Sequence, residues 1–215
     1  RSLNQPLERM RNFDGVHWHP MPGNHDHYRP NGLWDQLRRK GLPGNVHIHA
    51  APEPAIFGDD SFALLPAPLH HRRMLEDPTA YMDDADLSDE LVRVGLAHGT
   101  ITGFGSDDKD VPNYIAPDRP ARAGLSYLAL GDWHGQKKIN DRCWYSGTPE
   151  PDRFKHGRPG AALLVSIEGP GATPLVEPVQ TGSFDWRTVE LNFLGEEDAT
   201  AKLAAALAGP LHRRN

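Results

Sequence analysis

The sequence has a single cysteine, Cys143, and no long apolar run. One thiol cannot form an internal disulfide, which excludes a disulfide-stapled secreted scaffold and favours a reducing, cytoplasmic compartment. No apolar stretch approaches the roughly 20 residues that a membrane-spanning helix needs, and the polar N-terminal residues lack the apolar segment of a signal peptide. We therefore predict a cytoplasmic protein without membrane contact, and we expect the thiol to be buried or inert.

Positive charge is also scarce, because 23 Lys and Arg residues face 29 Asp and Glu residues and the net charge is −6. The overall charge therefore does not indicate a nucleic-acid-binding protein, although bound metal ions can supply positive charge locally. Histidine, in contrast, is abundant. Several of the 12 histidines stand next to Gly, Asp or Asn, and such clusters favour a metal site over a solvated surface.

Hydrophobic periodicity predicts an α/β fold with one large domain. Apolar residues at helical spacing predict a helix within residues 3–13, a short helix that Asn31 caps and Gly41 ends, and an Ala-rich helix at residues 198–207. Alternating or continuous apolar residues predict the following strands: 15–21, 46–49, 61–65, 91–97 and 126–130. From Lys137 onward, shorter strands and denser turns predict an antiparallel sheet.

Two polar groups outside these signals are expected to be structural. His47 and His49 share one face of their predicted strand, and we expect them at a rim, partly exposed, because no acidic residue or glycine turn follows them. The acidic residues Asp83, Asp84 and Asp86 are expected to form a solvated helix start, where carboxylates interact favourably with the helix dipole.

Polar clusters with the chemistry of ligands follow three of the apolar stretches. They are Gly23-Asn24-His25-Asp26, His98-Gly99-Thr100 and Gly131-Asp132-Trp133-His134. Ligands of α/β sheets bind outside the carboxyl ends of the strands. We therefore expect the three clusters to converge on one crevice.

The ordered motifs GNHD, HG and G-x-x-H resemble the C-terminal three motifs of the calcineurin-like metallophosphoesterases. Residues 145–150 and 160–167 are similar to the DNA-repair exonuclease branch of that superfamily, the SbcD-like nucleases. The resemblance covers residues 16–191 and implies an α/β/β/α sandwich of mixed sheets flanked by helices. It places the metallophosphoesterase domain at residues 1–193, with antiparallel strands at 136–193 completing the second sheet, and leaves 194–215 as a C-terminal helix and tail.

The resemblance also implies a two-metal phosphodiester hydrolase, a DNA exonuclease or endonuclease. In that family pattern Asn24 and His98 bind the second metal and His134 the first, while His25 protonates the leaving oxygen and Asp26 orients it. Imidazole and oxygen ligands without thiolate suit Mn²⁺, with Mg²⁺, Fe²⁺ or Zn²⁺ as alternatives. The implied partners are DNA, a coiled-coil ATPase and a second copy of the chain.

The sequence departs from the family pattern at two places. Asp132 stands where the family usually has a histidine that binds the second metal; a carboxylate can still bind a metal and suits Mn²⁺ or Mg²⁺, or it forms hydrogen bonds only. The opening motifs Asp-x-His and Gly-Asp-x-x-Asp, which belong to a βαβ unit, are not found before GNHD.

We therefore expect an N-terminally incomplete metallophosphoesterase. By itself the chain would bind at most one metal weakly, through Asn24, His98 and Asp132, and would not hydrolyse bis-nitrophenyl phosphate.

Two other functions remain open from the sequence. The same metal core serves phosphoesterases that act on cyclic nucleotides or phosphomonoesters, and a degenerate fold can persist as a non-catalytic scaffold. Basic residues that are candidates for contact with a nucleic-acid strand are Arg72, Arg73 and Arg153. A steep loss of binding with added salt would indicate such phosphate contacts.

Overall fold

A computed structural model describes residues 4–13, 15–58, 61–101, 111–151, 160–184, 188–193 and 198–208. Within these ranges the chain forms a mixed α/β fold with a six-stranded sheet, a two-stranded sheet and short helices. The strands are β1 (Ala55–Phe57), β2 (Phe62–Ala67), β3 (Val92–His98), β4 (Tyr127–Gly131), β5 (Lys137–Asn140), β6 (Cys143–Tyr145), β7 (Ala161–Ser166) and β8 (Leu175–Gln180). The helices are α1 (Asn4–Arg11), α2 (Leu33–Arg39), a 3-10 helix (Ala80–Asp84), α3 (Arg119–Arg122) and α4 (Ala199–Leu207).

The larger sheet has parallel strands in its centre and antiparallel strands at its edges. Its order is β1-β2-β3-β4-β6-β5, in which β2, β3, β4 and β6 pair in parallel and β1 and β5 pair antiparallel to their neighbours. Parallel strands are normally covered on both faces, which explains the continuous apolar runs in β2 and β4. The carboxyl ends of β3 and β4 therefore lie at the same edge of the sheet.

The core lies on this sheet, and its largest fully buried apolar side chains include Leu65, Met82, Ile115 and Leu128. Cys143 on β6 belongs to the same cluster. Burial raises the pKa of its thiol to about 12, so the thiol is protonated and poorly nucleophilic at neutral pH. The expectation of a buried cysteine is confirmed.

The predicted strand at residues 15–21 is wrong, and so is the strand predicted at 46–49. The two segments lie side by side in parallel but form only one bridge, Trp18 with Val46. Trp18 donates its amide to the carbonyl of Asn45, and the amides of His47 and His49 donate to the carbonyls of Trp18 and Pro20. Between these bonds, regular parallel pairing would also need an N–H on Pro20 to donate to the carbonyl of His47, and because proline lacks that N–H the pairing is interrupted there.

The histidines of these two segments stack on one another. We call the set the histidine ladder: His17, His19, His47 and His49. Nδ1 of His17 lies 3.0 Å from Nε2 of His47, and the same two atoms of His19 and His49 are also 3.0 Å apart. His17 is exposed, whereas His49 is buried rather than at a rim as predicted.

The predicted helices are confirmed in position, but one cap differs. Asp198 caps α4 by accepting from the amides of Thr200 and Ala201. Helix α2 begins after Gly32, and the predicted cap Asn31 instead donates its amide to Asp35 at 2.7 Å. None of the helices in the described ranges is long and apolar enough to cross a membrane.

The C-terminal strands differ from the predicted second sheet at residues 136–193. Strands β5 and β6 join the six-stranded sheet, and β6 pairs in parallel with β4 rather than antiparallel. Only β7 and β8 form a separate antiparallel sheet in the part of the chain that the structure describes. Residues 188–191, which lie in the stretch predicted to form antiparallel strands, are not in a strand.

Candidate functional site

Three polar side chains that are far apart in the sequence meet at the carboxyl edge of the larger sheet. Oδ1 of Asn24 lies 3.1 Å from Nε2 of His98, and Nδ2 of Asn24 donates to Oδ1 of Asp132 at 2.9 Å. Nε2 of His98 is 3.5 Å from the same oxygen of Asp132. We call these residues the polar triad. The predicted convergence of the three sequence clusters is confirmed for these members.

A tight turn positions Asn24. The carboxylate of Asp26 accepts from the amide of Gly23 at 2.8 Å, and the indole N–H of Trp34 on α2 donates to the carbonyl of Asp26. An aspartate that bonds a nearby amide in this way holds a turn closed. His25 is exposed at the tip of this turn. The predicted bond from Asp26 to His25 is not among the hydrogen bonds of the described residues.

Two glycines set the orientation of the His98 ring at the end of β3. A β-carbon at Gly23 would lie 3.0 Å from Cε1 of His98, and one at Gly131 would lie 2.8 Å from Nδ1. Both distances are shorter than ordinary van der Waals contact. The motif glycines therefore do more than form turns, because their missing side chains make the space for the imidazole.

Asp132 has an unusual backbone conformation and a perturbed carboxyl group. Its φ of 98° is positive, which is uncommon for a residue with a side chain and marks stored backbone strain. The hydrogen bond from His98 lowers the pKa of Asp132, and bonds from Thr100 and Asn24 lower it further, while burial opposes them. The carboxylate is thus ionised at neutral pH and is available as a metal ligand.

Sequence analysis missed the residues that support this edge of the sheet. The hydroxyl of Thr100 donates to Oδ2 of Asp132 at 3.4 Å. The buried hydroxyl of Tyr145 donates to the carbonyl of Gly99 and accepts from the amide of Ile101. Tyr145 therefore holds the His98-Gly99-Thr100 segment in place. The sequence indicates Tyr145 only through its position in the 145–150 segment, which carries the family resemblance.

His134, predicted as a ligand of the first metal, is exposed two residues beyond Asp132. Its carbonyl accepts from both the amide and the hydroxyl of Thr148 at 3.0 Å. Gly147 makes this close approach possible, since its φ is 78° and a β-carbon there would lie 2.8 Å from the amide nitrogen of Gln136.

The basic residues predicted to bind a nucleic-acid strand are not drawn into the site. Arg72 and Arg73 are exposed, and among the described contacts none joins either side chain to the polar triad. Arg153 lies outside the described residues.

Two separations in the polar triad suit ligands of one metal ion, but the triad offers few strong ligands. Ligands bonded at about 2.1 Å and at right angles around one ion lie about 3 Å apart. Nε2 of His98 lies 3.1 Å from Oδ1 of Asn24 and 3.5 Å from Oδ1 of Asp132, whereas Asn24 contacts Asp132 through Nδ2, which does not bind a metal. Only His98 and Asp132 are strong ligand types, however, and the described residues contain no group of three or more His, Cys, Asp or Glu that could hold a metal ion. Asn24 would have to complete the set, and Nε2 of His98 would have to be unprotonated.

Comparison with known proteins adds no assignment. No model of a protein family matches the sequence, and no curated protein matches it.

Proposed function

We propose that this chain is a metal-dependent phosphodiester hydrolase of the SbcD-like nuclease type, built on the α/β/β/α sandwich of the calcineurin-like metallophosphoesterases. The observation that supports it best is the polar triad, in which a side-chain amide, an imidazole and an ionised carboxylate from three sequence clusters are joined by contacts of 2.9 to 3.5 Å. A neutral oxygen ligand beside an imidazole and a carboxylate suits Mn²⁺.

The residues around the triad have separate roles in this proposal. Bound metal would supply charge stabilisation at the phosphate oxygens during an in-line displacement. His25 is exposed in the turn beside Asn24, so it is the candidate proton donor to the leaving oxygen. Asp26 acts indirectly, because its carboxylate closes the turn through the Gly23 amide.

Manganese binding tests the role of the triad directly. We expect the 215-residue chain to bind one Mn²⁺ weakly, measured by electron paramagnetic resonance of free Mn²⁺, and His98→Ala to weaken binding at least tenfold. His70→Ala is the matched control, since His70 is another part-buried histidine with one described ring hydrogen bond, to the carbonyl of Ala50. Absence of binding, or equal affinity in the wild-type and His98→Ala chains, would falsify the metal assignment.

Hydrolysis tests the reaction itself. We expect no turnover of bis-nitrophenyl phosphate by the 215-residue chain, because no Asp-x-His or Gly-Asp-x-x-Asp motif precedes Gly23-Asn24-His25-Asp26 in it. A polypeptide that carries both motifs ahead of residue 1 is expected to hydrolyse this ester with Mn²⁺ and to lose activity in His25→Ala. A single-stranded oligonucleotide and a cyclic nucleotide, compared as substrates of that polypeptide, separate the nuclease from a phosphoesterase for small substrates.

One observation favours a non-catalytic scaffold as the second candidate. Asn24, His98 and Asp132 satisfy one another by hydrogen bonds, and such a closed network can hold three segments together without a ligand. The manganese titration separates the two functions. A scaffold predicts no bound Mn²⁺ and a loss of stability in His98→Ala that added Mn²⁺ does not change.

A further inference from the structure

Trp133 is the exposed aromatic residue beside the polar triad. Its fractional exposure is 58%. The other tryptophans in the described ranges are buried or half-buried: Trp18, Trp34 and Trp144. Single exposed apolar side chains are common and carry no meaning alone. Trp133 differs from such residues because it directly follows Asp132 and because its ring is restrained by its neighbours.

The backbone on both sides of Trp133 is fixed. The carboxylate of Asp132 accepts hydrogen bonds from the side chains of Asn24 and Thr100, and the carbonyl of His134 accepts two hydrogen bonds from Thr148. Consecutive Cα atoms are about 3.8 Å apart, so the Cα atom that carries the indole is about that far from the Cα atom of Asp132. Its position relative to any phosphate bound at the triad is therefore defined by the fold.

The ring itself is also restrained. A β-carbon at Gly135 would lie 3.1 Å from Nε1 of Trp133, so the indole lies close to the Gly135 backbone and a side chain there would crowd the ring. The ammonium of Lys137 lies 5.4 Å from the ring centroid, within the range of a cation–π contact. A restrained ring loses less side-chain entropy when a second flat group stacks on it.

We propose that Trp133 is a stacking platform for an unpaired nucleobase next to the scissile phosphate, so that the site selects single-stranded DNA. Bases in a duplex are already stacked on both faces, whereas an unpaired base can stack on an exposed aromatic side chain whatever its identity. The ammonium of Lys137 beside the ring would interact favourably with the phosphate next to the stacked base. The proposal rests on the proposed phosphodiester hydrolase function and specifies its substrate.

Binding of a fluorescein-labelled 12-residue oligothymidylate in the presence of Mn²⁺ tests the platform by anisotropy, without any need for turnover. Stacking of one base predicts a loss of affinity of about 5- to 150-fold in Trp133→Ala, and Trp133→Phe should retain most of the affinity. Phe13→Ala is the matched control, because Phe13 is an aromatic residue of nearly equal exposure, 60%, near the end of α1. It should bind like the wild type.

An oligomer of the same length that lacks bases provides the second arm. We expect the wild-type chain to bind it as weakly as Trp133→Ala binds oligothymidylate. Equal binding of the two oligomers by the wild type, or equal binding of oligothymidylate by the wild type and Trp133→Ala, overturns the platform and leaves the hydrolase proposal standing. If the wild type binds Mn²⁺ but no oligothymidylate, both the platform and DNA as substrate are rejected, while the metal site remains.

Discussion

His98 leaves no room for a side chain on either of the glycines that its ring contacts. A β-carbon added at Gly23 would lie 3.0 Å from Cε1 of the ring, and one added at Gly131 would lie 2.8 Å from Nδ1. Protein interiors are packed too densely to absorb such overlaps without displacement. The two glycines therefore direct Nε2 of His98 towards Asn24 and Asp132, and the ring orientation depends on the backbone of two separate motifs.

Gly131→Ala is expected to displace the imidazole, since the added methyl group would lie 2.8 Å from Nδ1. We expect Mn²⁺ binding to weaken at least tenfold and the free energy of unfolding to fall by about 1–3 kcal/mol through overpacking. Calorimetric titration with Mn²⁺ and urea unfolding measure the two effects. Gly44→Ala is the control, because no heavy atom lies within 4 Å of its β-carbon position. Unchanged Mn²⁺ affinity in Gly131→Ala would contradict a role for His98 as ligand.

At the scale of elements, the histidine ladder joins the segment that leads to Asn24 to residues 45–49. Each nitrogen contact in the ladder needs one N–H and one lone pair, so two protonated rings cannot form it. Burial, together with the neighbouring histidines, lowers the pKa of His19 to about 4. His49 also has a pKa of about 4, with burial first and then His47 and Arg38 as causes. Both rings are therefore neutral at pH 7.

The ladder predicts acid sensitivity. Between pH 6.5 and about 4 the unfolded chain binds protons at His19 and His49 that the folded chain does not, so stability falls as pH falls through this window. At pH 5 the expected loss relative to pH 7 is on the order of 2 kcal/mol for each histidine. Urea unfolding at both pH values measures it. The double variant His19→Gln/His49→Gln should lose much less between the two pH values, and an equal loss would rule out the ladder as the cause.

A buried ion pair connects α3 to the 3-10 helix. Arg119 is 2% exposed; it donates to Asp77 and to the hydroxyl of Thr79, and it forms an ion pair with Asp83. We expect Arg119→Met to lower the free energy of unfolding by about 3–5 kcal/mol, because it leaves carboxylates without their cation in a buried setting. Arg122→Ala is the matched control. Its side chain pairs with the same Asp83 but is 52% exposed, so the expected loss is below about 1 kcal/mol. Equal losses in chemical unfolding would contradict a special role for Arg119.

Across the whole molecule, the sequence predicted those features that depend on local periodicity. Strands β2, β3 and β4 and helices α1 and α4 follow from apolar runs or helical spacing. The proximity of Asn24, His98 and Asp132 was also predictable, because the carboxyl ends of parallel strands lie at the same edge of a sheet. The predicted strand at 15–21 failed for a local reason, since Pro20 cannot donate to the ladder and a pattern of side-chain polarity does not report a missing N–H.

Features that depend on tertiary partners could not be predicted. Asp83 looked solvated in a run of acidic residues, and only the fold brings Arg119 to it. The hydrogen bond from Thr100 to Asp132 spans 32 residues, and no spacing rule indicates it. Strand β6 pairs in parallel with β4 and antiparallel with β5, a choice that dense turns in the sequence do not determine. The metal and nuclease roles of the site residues remain predictions.

The net charge of −6 predicts that the chain by itself repels a DNA strand. Such a field lowers the local concentration of an anionic ligand, whereas a bound cation can invert the local field. We therefore expect oligothymidylate to bind in Mn²⁺ and to lose at least tenfold in affinity when EDTA removes the ion, as measured by anisotropy at constant ionic strength. The same loss should occur in Mn²⁺ for His98→Ala but not for His70→Ala. Strong binding in EDTA that weakens steeply with salt would instead indicate direct contacts from basic side chains such as Arg72 and Arg73.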